Sequence, residues 1–373
     1  MTIEPGFLEH ATAAVQGLTP YAPGKPIDEL EREYGVAGII KLASNENPLG
    51  PSPRALAAAR EALADVWLYP DGNGFALKQL LADKHGVSPE QITLGNGSSD
   101  LLEFVVRCLV SPGDEVLFSQ HAFAIYPIVT QAAGGVPVAA PARNWGHDLA
   151  ALRAAITPRT RVIFIANPNN PTGTWLDGDA LKAFIDAVPR EIVVVVDEAY
   201  FDYAIDSATG AEGYADSSEW LAEFPHLMVT RTFSKSYGLA GLRVGYGLSH
   251  PALADLMNRV RPPFNVNGPA LAAAAAALGD ADHLHHTVRT NAAGLRQLEA
   301  AFTDMGLDYI PSVANFISVD VGRPAAPLFD ALLREAVIVR PVANYDMPHH
   351  LRVSVGTEEQ NQRLIAALRK VLA

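Results

Sequence analysis

The sequence predicts an α/β protein: a mostly parallel, seven-stranded sheet covered by helices, plus a smaller α+β domain. Short apolar segments alternate with helical ones from about residue 90 to 250, the pattern of a parallel sheet with both faces covered. Glu191 to Val196 is a β-branched run without polar alternation, the mark of a strand buried on both sides. Each polar motif falls just after a strand's last apolar residue, the edge at which open α/β sheets bind ligands. A chain of 373 residues outgrows one hydrophobic core and suffices for two domains. The expected division is an arm over 1–40 that returns to the small domain, a large domain over 41–270 and a small one over 271–373.

Composition narrows the function classes. The chain is 49% hydrophobic and 18% charged, ordinary for a globular protein. Asp and Glu outnumber Lys and Arg by 41 to 28, for a formal net charge of -13. That balance argues against nucleic-acid and anionic-membrane partners, which select a basic face, but leaves room for a small anion held by a few arginines. Cys108 is the single cysteine, so an intrachain disulfide and a cysteine metal cluster are excluded, and no metal site is expected. No run reaches the length of a membrane span, and Met1 to Glu9 lacks a basic-then-apolar leader pattern, so a cytoplasmic address is expected.

In chain order, a proline-rich arm holds Leu18-Thr19-Pro20-Tyr21, where the proline-flanked Tyr21 is extended and either packs or lies across a cleft. Helix is expected from Pro26 to Tyr34, then a loop from Lys41 to Leu49 that contains Asn45, then helix from Pro53 to Asp65. Leu68 to Gly74 is a turn-dense loop carrying Tyr69, and a helix runs from Gly74 to about His85. The strand Gln91 to Leu94 opens onto Gly95-Asn96-Gly97-Ser98-Ser99-Asp100 and an apolar helix. Such a turn is a generic phosphate cradle, its free N–H groups aimed at an anion, although the same letters also spell a tight turn with a cap. It is neither a dinucleotide fingerprint nor a Walker motif.

Strands at Glu115 to Phe118 and Arg161 to Ala166 follow, with Phe123 after the first and Asn167-Pro168-Asn169-Asn170-Pro171-Thr172-Gly173 after the second. The buried run over 191–196 stops at Asp197-Glu198-Ala199-Tyr200. A carboxylate there requires a partner. Leu227-Met228-Val229 enters the hydroxyl-rich turn that holds Ser234, Lys235 and, eight residues on, Arg243. An alanine-rich helical stretch follows Gly268 and runs to about Asp304. Beyond it come strand and helix pieces, among them Leu351 to Val355 and a last helix from Glu358 that opens on a capping box at Thr357 to Gln360.

Ser234-Lys235-Ser236-Tyr237-Gly238-Leu239-Ala240-Gly241-Leu242-Arg243 resembles the cofactor-bonding segment of fold type I pyridoxal-phosphate aminotransferases, and more closely that of the histidinol-phosphate aminotransferase family. The likeness extends over essentially the whole chain. Pyridoxal 5'-phosphate needs an amine for its aldehyde, an anion at its pyridine nitrogen, a donor at its phenolate and a phosphate cup. The resemblance assigns Lys235 to the first, Asp197 to the second, and Tyr200 with Asn170 to the third. The cup falls to Gly97, Ser98, Ser99, Ser234 and Arg243. Phe123 stands where many relatives carry a stacking tyrosine; core packing accounts for it equally well. Tyr69 matches a tyrosine that reaches the neighbouring subunit's site, which implies a homodimer with shared active sites.

In the same family the matching arginines, Arg340 and Arg352, face the substrate phosphate together with Tyr21, and Asn45 is a further substrate contact. Two guanidiniums suit a dianion better than a single carboxylate. The implied reaction is transamination of L-histidinol phosphate with 2-oxoglutarate, giving 3-(imidazol-4-yl)-2-oxopropyl phosphate and L-glutamate, in histidine biosynthesis. The loop Val342 to Pro348 resembles a branch with aromatic substrates, so an aromatic amino-acid aminotransferase is the alternative. A phosphothreonine decarboxylase or a non-catalytic, cofactor-holding regulator are weaker ones.

Overall fold

The strand Val193–Asp197 lies at the centre of the molecule because four successive valines leave it no polar face to offer water. In the computed structural model, which describes residues 5–21, 24, 26–206 and 210–373, it occupies the middle of a seven-stranded sheet. The spatial order is Ile92–Gly95, Gly245–Ser249, Leu227–Thr232, Val193–Asp197, Thr160–Ala166, Glu115–Ser119 and Val136–Ala140. Only Gly245–Ser249 runs against both of its neighbours. The expected class and strand number are both present.

Alternate residues of the central strands enter two different cores. Ile163, Ile165, Val194, Val196 and Val229 pack against helices Phe75–His85, Gly178–Ala187 and Gly268–Leu278. Val162, Phe164, Val195 and Met228 pack on the opposite face, against Ser98–Leu109, Ile125–Ala132 and Pro251–Val260. Period-two side-chain direction with helices on both faces is what makes every residue of the run apolar.

The edge strand Val136–Ala140 has no counterpart among the strands named from sequence. Pro137 and two alanines give it weak strand character, and proline is tolerated there because an edge strand has donors to spare. The alanine-rich stretch is two helices, Gly268–Leu278 and Ala281–Asp304, broken at Gly279-Asp280, whose Asp280 side chain caps the second. The first belongs with the large-sheet core through Ala270, Ala273, Ala274 and Ala277.

A four-stranded antiparallel sheet, Tyr309–Ile310, Phe316–Asp320, His350–Ser354 and Arg340–Pro341, forms the second unit with helices Ala325–Arg334 and Glu358–Leu372. Ile40–Lys41 pairs in parallel with Val337–Ile338, and Ile40 and Leu42 bury themselves in that unit's core. The N-terminal segment is thereby tied to the C-terminal one. Between the two sheets lies a cleft of about 200 Å³, open at the carboxyl edge of the large sheet.

Candidate active site

Lys235 owes its position to a loop clamped at several points. The loop leaves strand Leu227–Thr232 and re-enters the sheet as Gly245–Ser249, so it starts and ends on the same edge. Asn47 donates from Nδ2 to the Ser236 carbonyl at 2.9 Å, and Ser236 Oγ donates to Asp202. Gly238 has φ +70, and a Cβ there would stand 2.4 Å from the Gly50 carbonyl oxygen, so only glycine lets the two loops touch. Lys235 Nζ reaches into the cleft, 3.4 Å from the Ser44 carbonyl. Burial pulls its pKa down to about 8, assisted by the charges of Arg352 and Arg243 and opposed by Glu46 and Asp197.

Asp197 is buried at the end of the central strand and is held on both oxygens. Tyr126 donates its hydroxyl to Oδ2 at 2.9 Å, and Thr230, the register partner of Asp197 on the adjacent strand, donates to Oδ1 at 3.0 Å. Burial pushes the carboxyl pKa up, while these two hydrogen bonds, the Ala199 N–H and Lys235 pull it down. Neighbouring Glu198 points elsewhere, into a buried ion pair with Arg231 at 2.7 Å. The two carboxylates are thus kept apart, as two anions in one dry site would not be.

Tyr200 accepts a hydrogen bond from Asn45 Nδ2 at 2.8 Å, which leaves its own proton for the cleft. Burial raises its pKa to about 12, so it remains a donor. Asn170 also lines the cleft; its Oδ1 accepts from Arg352 Nη1 at 2.6 Å, which makes Nδ2 its donating end. Phe123 lines the wall near Asp197 and meets the Tyr126 ring edge-on.

At the far end stand Ser98, Ser99, Ser234 and Arg243. Ser98 begins helix Ser98–Leu109, whose N-cap residue is Gly97; having no side chain, it caps none of the leading N–H groups. A Cβ on Gly97, at φ +85, would lie 2.3 Å from Arg243 Nη2. Arg243 Nη1 in turn donates to Ser234 Oγ at 3.1 Å. Open N–H groups, a guanidinium and hydroxyls converge on one spot, which is the chemistry of a phosphate cup. Gly97 itself backs the arginine rather than lining the cleft.

The opposite wall is basic. Arg352, inside strand His350–Ser354, is buried, donates from Nη2 to the Ala43 carbonyl at 2.7 Å, and has no partner for Nε among the described residues. Its register partner across the ladder is Arg340, and both reach the cleft. Like charges directly opposite on a sheet repel. Tyr21 lies beneath Arg340, its ring 5.8 Å from the guanidinium carbon.

Of the residues singled out from sequence, the fold therefore brings all but Gly97 and Tyr69 to the cleft lining. Tyr69 is 82% exposed and stacks on Phe264, and it does not line the cleft of its own chain. Sequence reasoning missed Tyr126 and Thr230. Thr230 had only a weak signal, a hydroxyl just after the apolar run that enters the Lys235 turn. The hydroxyl of Tyr126 had none, because a tyrosine in an apolar helix reads as core.

The aminotransferase class I and II family pattern matches residues 37–368. The chain is 60% identical to histidinol-phosphate aminotransferase 2 of Pseudomonas fluorescens over 369 residues, covering 98% of each. It is 58% identical to histidinol-phosphate aminotransferase 1 of Nitrosococcus oceani, again over 98% of each. Its fold superposes with a TM-score of 0.89 on the crystal structure of histidinol-phosphate aminotransferase from Sinorhizobium meliloti in complex with pyridoxal-5'-phosphate, at 33% identity and 97% coverage of both chains. The chain belongs to the class I and II aminotransferases. Within them it is a member of the histidinol-phosphate aminotransferase family.

Proposed function

We propose that the protein is a pyridoxal-phosphate-dependent transaminase of L-histidinol phosphate in histidine biosynthesis, with 2-oxoglutarate as amino acceptor. The observation that carries the substrate is the cross-strand pair Arg340 and Arg352 on the cleft wall. Two cations in register repel unless an anion lies between them, and a phosphate dianion offsets both. Among the described residues no carboxylate forms an ion pair with Arg352, so this charge is kept for a ligand. The carboxylates of glutamate and 2-oxoglutarate fit the same pair, which gives one site for both half-reactions.

The cleft suits the cofactor on independent grounds. The uncapped helix start beside Arg243 matches a phosphate, the doubly held Asp197 matches a ring cation, and Tyr200 offers a proton to a phenolate. Bound pyridoxal phosphate supplies an aldehyde for amines and a ring that withdraws electrons from the substrate carbon. In this reading Lys235 would hold the aldehyde end of the cofactor and, as a free amine, would take a proton from substrate Cα on Nζ and hand it back. An amine pulled down to about 8 can take that proton near neutral pH and return it. Asp197 would keep the ring nitrogen protonated, Tyr200 and Asn170 would hold the phenolate edge, and Phe123 would pack on the ring. Tyr21 and Asn45 close the substrate end.

The assembly proposed is a homodimer in which Tyr69 enters the partner's site. Leu63, Val66, Trp67, Leu68 and Tyr69 are 52–82% exposed along one segment, with Phe264 beside Tyr69, an apolar patch of the kind that marks a protein interface.

Steady-state comparison of amino donors tests the substrate. Histidinol phosphate is expected to exceed phenylalanine and tyrosine in kcat/KM by at least about tenfold, because a single carboxylate engages one guanidinium where the phosphate dianion engages both. A preference for phenylalanine would assign the chain to the aromatic alternative.

A further inference from the structure

Asp197 differs from an ordinary strand-end carboxylate in being gripped from two elements at once. Tyr126 comes from helix Ile125–Ala132 on one face of the sheet, and Thr230 from the adjacent strand. Each carboxylate oxygen accepts one of these hydroxyls, which leaves further lone pairs on both for a donor in the cleft. Tyr126 is fully buried, its ring stacked on Phe164 at 4.5 Å and 10°, with Phe123 edge-on at 6.0 Å, so its hydroxyl has little freedom to turn elsewhere. Thr230 is likewise fully buried and fixed by strand register.

We infer that Tyr126 and Thr230 are positioning residues that hold Asp197 in its ionised form and thereby keep the shared proton on the cofactor's ring nitrogen. The inference rests on the reading of Asp197 as the partner of that nitrogen. Its physical content concerns proton affinity. A buried carboxylate facing a pyridine would compete for the proton, since burial favours its neutral form. Two hydroxyl donors lower its basicity; among the described residues Lys235 and the Ala199 N–H act in the same direction, and Tyr200 also feels its charge. With either hydroxyl removed, the proton moves toward Asp197 and the ring loses electron-withdrawing power. Tyr126 also fills the apolar core behind Asp197, so the test must separate proton position from packing.

The test uses holoenzyme carrying pyridoxal phosphate labelled with ¹⁵N in the ring. Wild-type protein is expected to give the shift of a protonated ring nitrogen. Tyr126→Phe, which keeps the ring and deletes only the donor, is expected to move the signal downfield toward unprotonated pyridine and to weaken cofactor binding about tenfold, the worth of one hydrogen bond to a charged group. Thr230→Val is expected to do the same, and Thr230→Ser, which restores the hydroxyl, to return the wild-type shift. Should Tyr126→Phe fold poorly, the Thr230 pair decides the matter. Unchanged shifts in both Tyr126→Phe and Thr230→Val, with a protonated wild type, overturn the inference and leave the role of Asp197 standing. An unprotonated ring nitrogen in wild-type protein overturns both.

Discussion

Single atoms decide much at this site. The guanidinium of Arg243 occupies the space where a side chain on Gly97 would begin, and Gly97 itself adopts φ +85. Gly97→Ala is therefore expected to displace Arg243 and weaken cofactor binding by about tenfold or more, from strain of roughly 1–3 kcal/mol; titration of cofactor-free protein measures it. Arg340→Gln tests the dianion reading. Histidinol phosphate should lose about tenfold or more in KM while glutamate loses less, because a monoanion can still be held by Arg352 alone. Equal losses would remove phosphate from the argument. Lys235 supplies a pH test. Its pKa is depressed in the fold, to about 8, so between there and its ordinary value near 10.5 the unfolded chain binds more protons and the cofactor-free fold gains stability as pH rises. Only the neutral amine attacks an aldehyde. Borohydride-trapped adduct formation with pyridoxal phosphate should accordingly rise with a midpoint near pH 8; a midpoint near 10.5 would mean the cleft is not dry.

Helices and strands were the most readable part of the sequence. The valine run announced the central strand because burial on both faces forbids polar alternation, and the last helix announced its start through Thr357 and Gln360, which form a reciprocal capping box. Thr357→Ala is expected to cost about 1 kcal/mol of stability without altering KM, since that helix packs on the small-sheet core, away from the cleft; thermal unfolding and steady-state rates together check this. The edge strand was illegible because its residues are half-exposed and proline-bearing, so neither alternation nor β-branching marks it. The family resemblance grouped Arg340 with Arg352, but their facing each other across one ladder was beyond reach. Arg352 stood out inside an apolar run and Arg340 did not, and their adjacency depends on strand register, which side-chain sequence alone fixes only loosely.

At the scale of the molecule, the cleft draws residues from the arm, the large sheet and the C-terminal sheet, so no local segment is competent alone. Motif order along the chain revealed which strand ends meet the cleft; it could not reveal that Tyr126 reaches Asp197 from a helix 71 residues earlier. We propose that the patch around Trp67 is the dimer contact. Trp67→Asp should then shift sedimentation toward monomer and abolish most activity, because a charge buried in an apolar interface is heavily penalised. A dimer that survives the change would place the contact elsewhere. The reversed direction of Gly245–Ser249 has one more result. An all-parallel arrangement would have to fetch its cleft arginine from a separate crossover, whereas here a single U-turn brings an amine and a guanidinium to one cleft, where they would meet two ends of the proposed cofactor. The span between Lys235 and Arg243 is thus a built-in ruler, and lengthening it by even one residue should loosen both grips together.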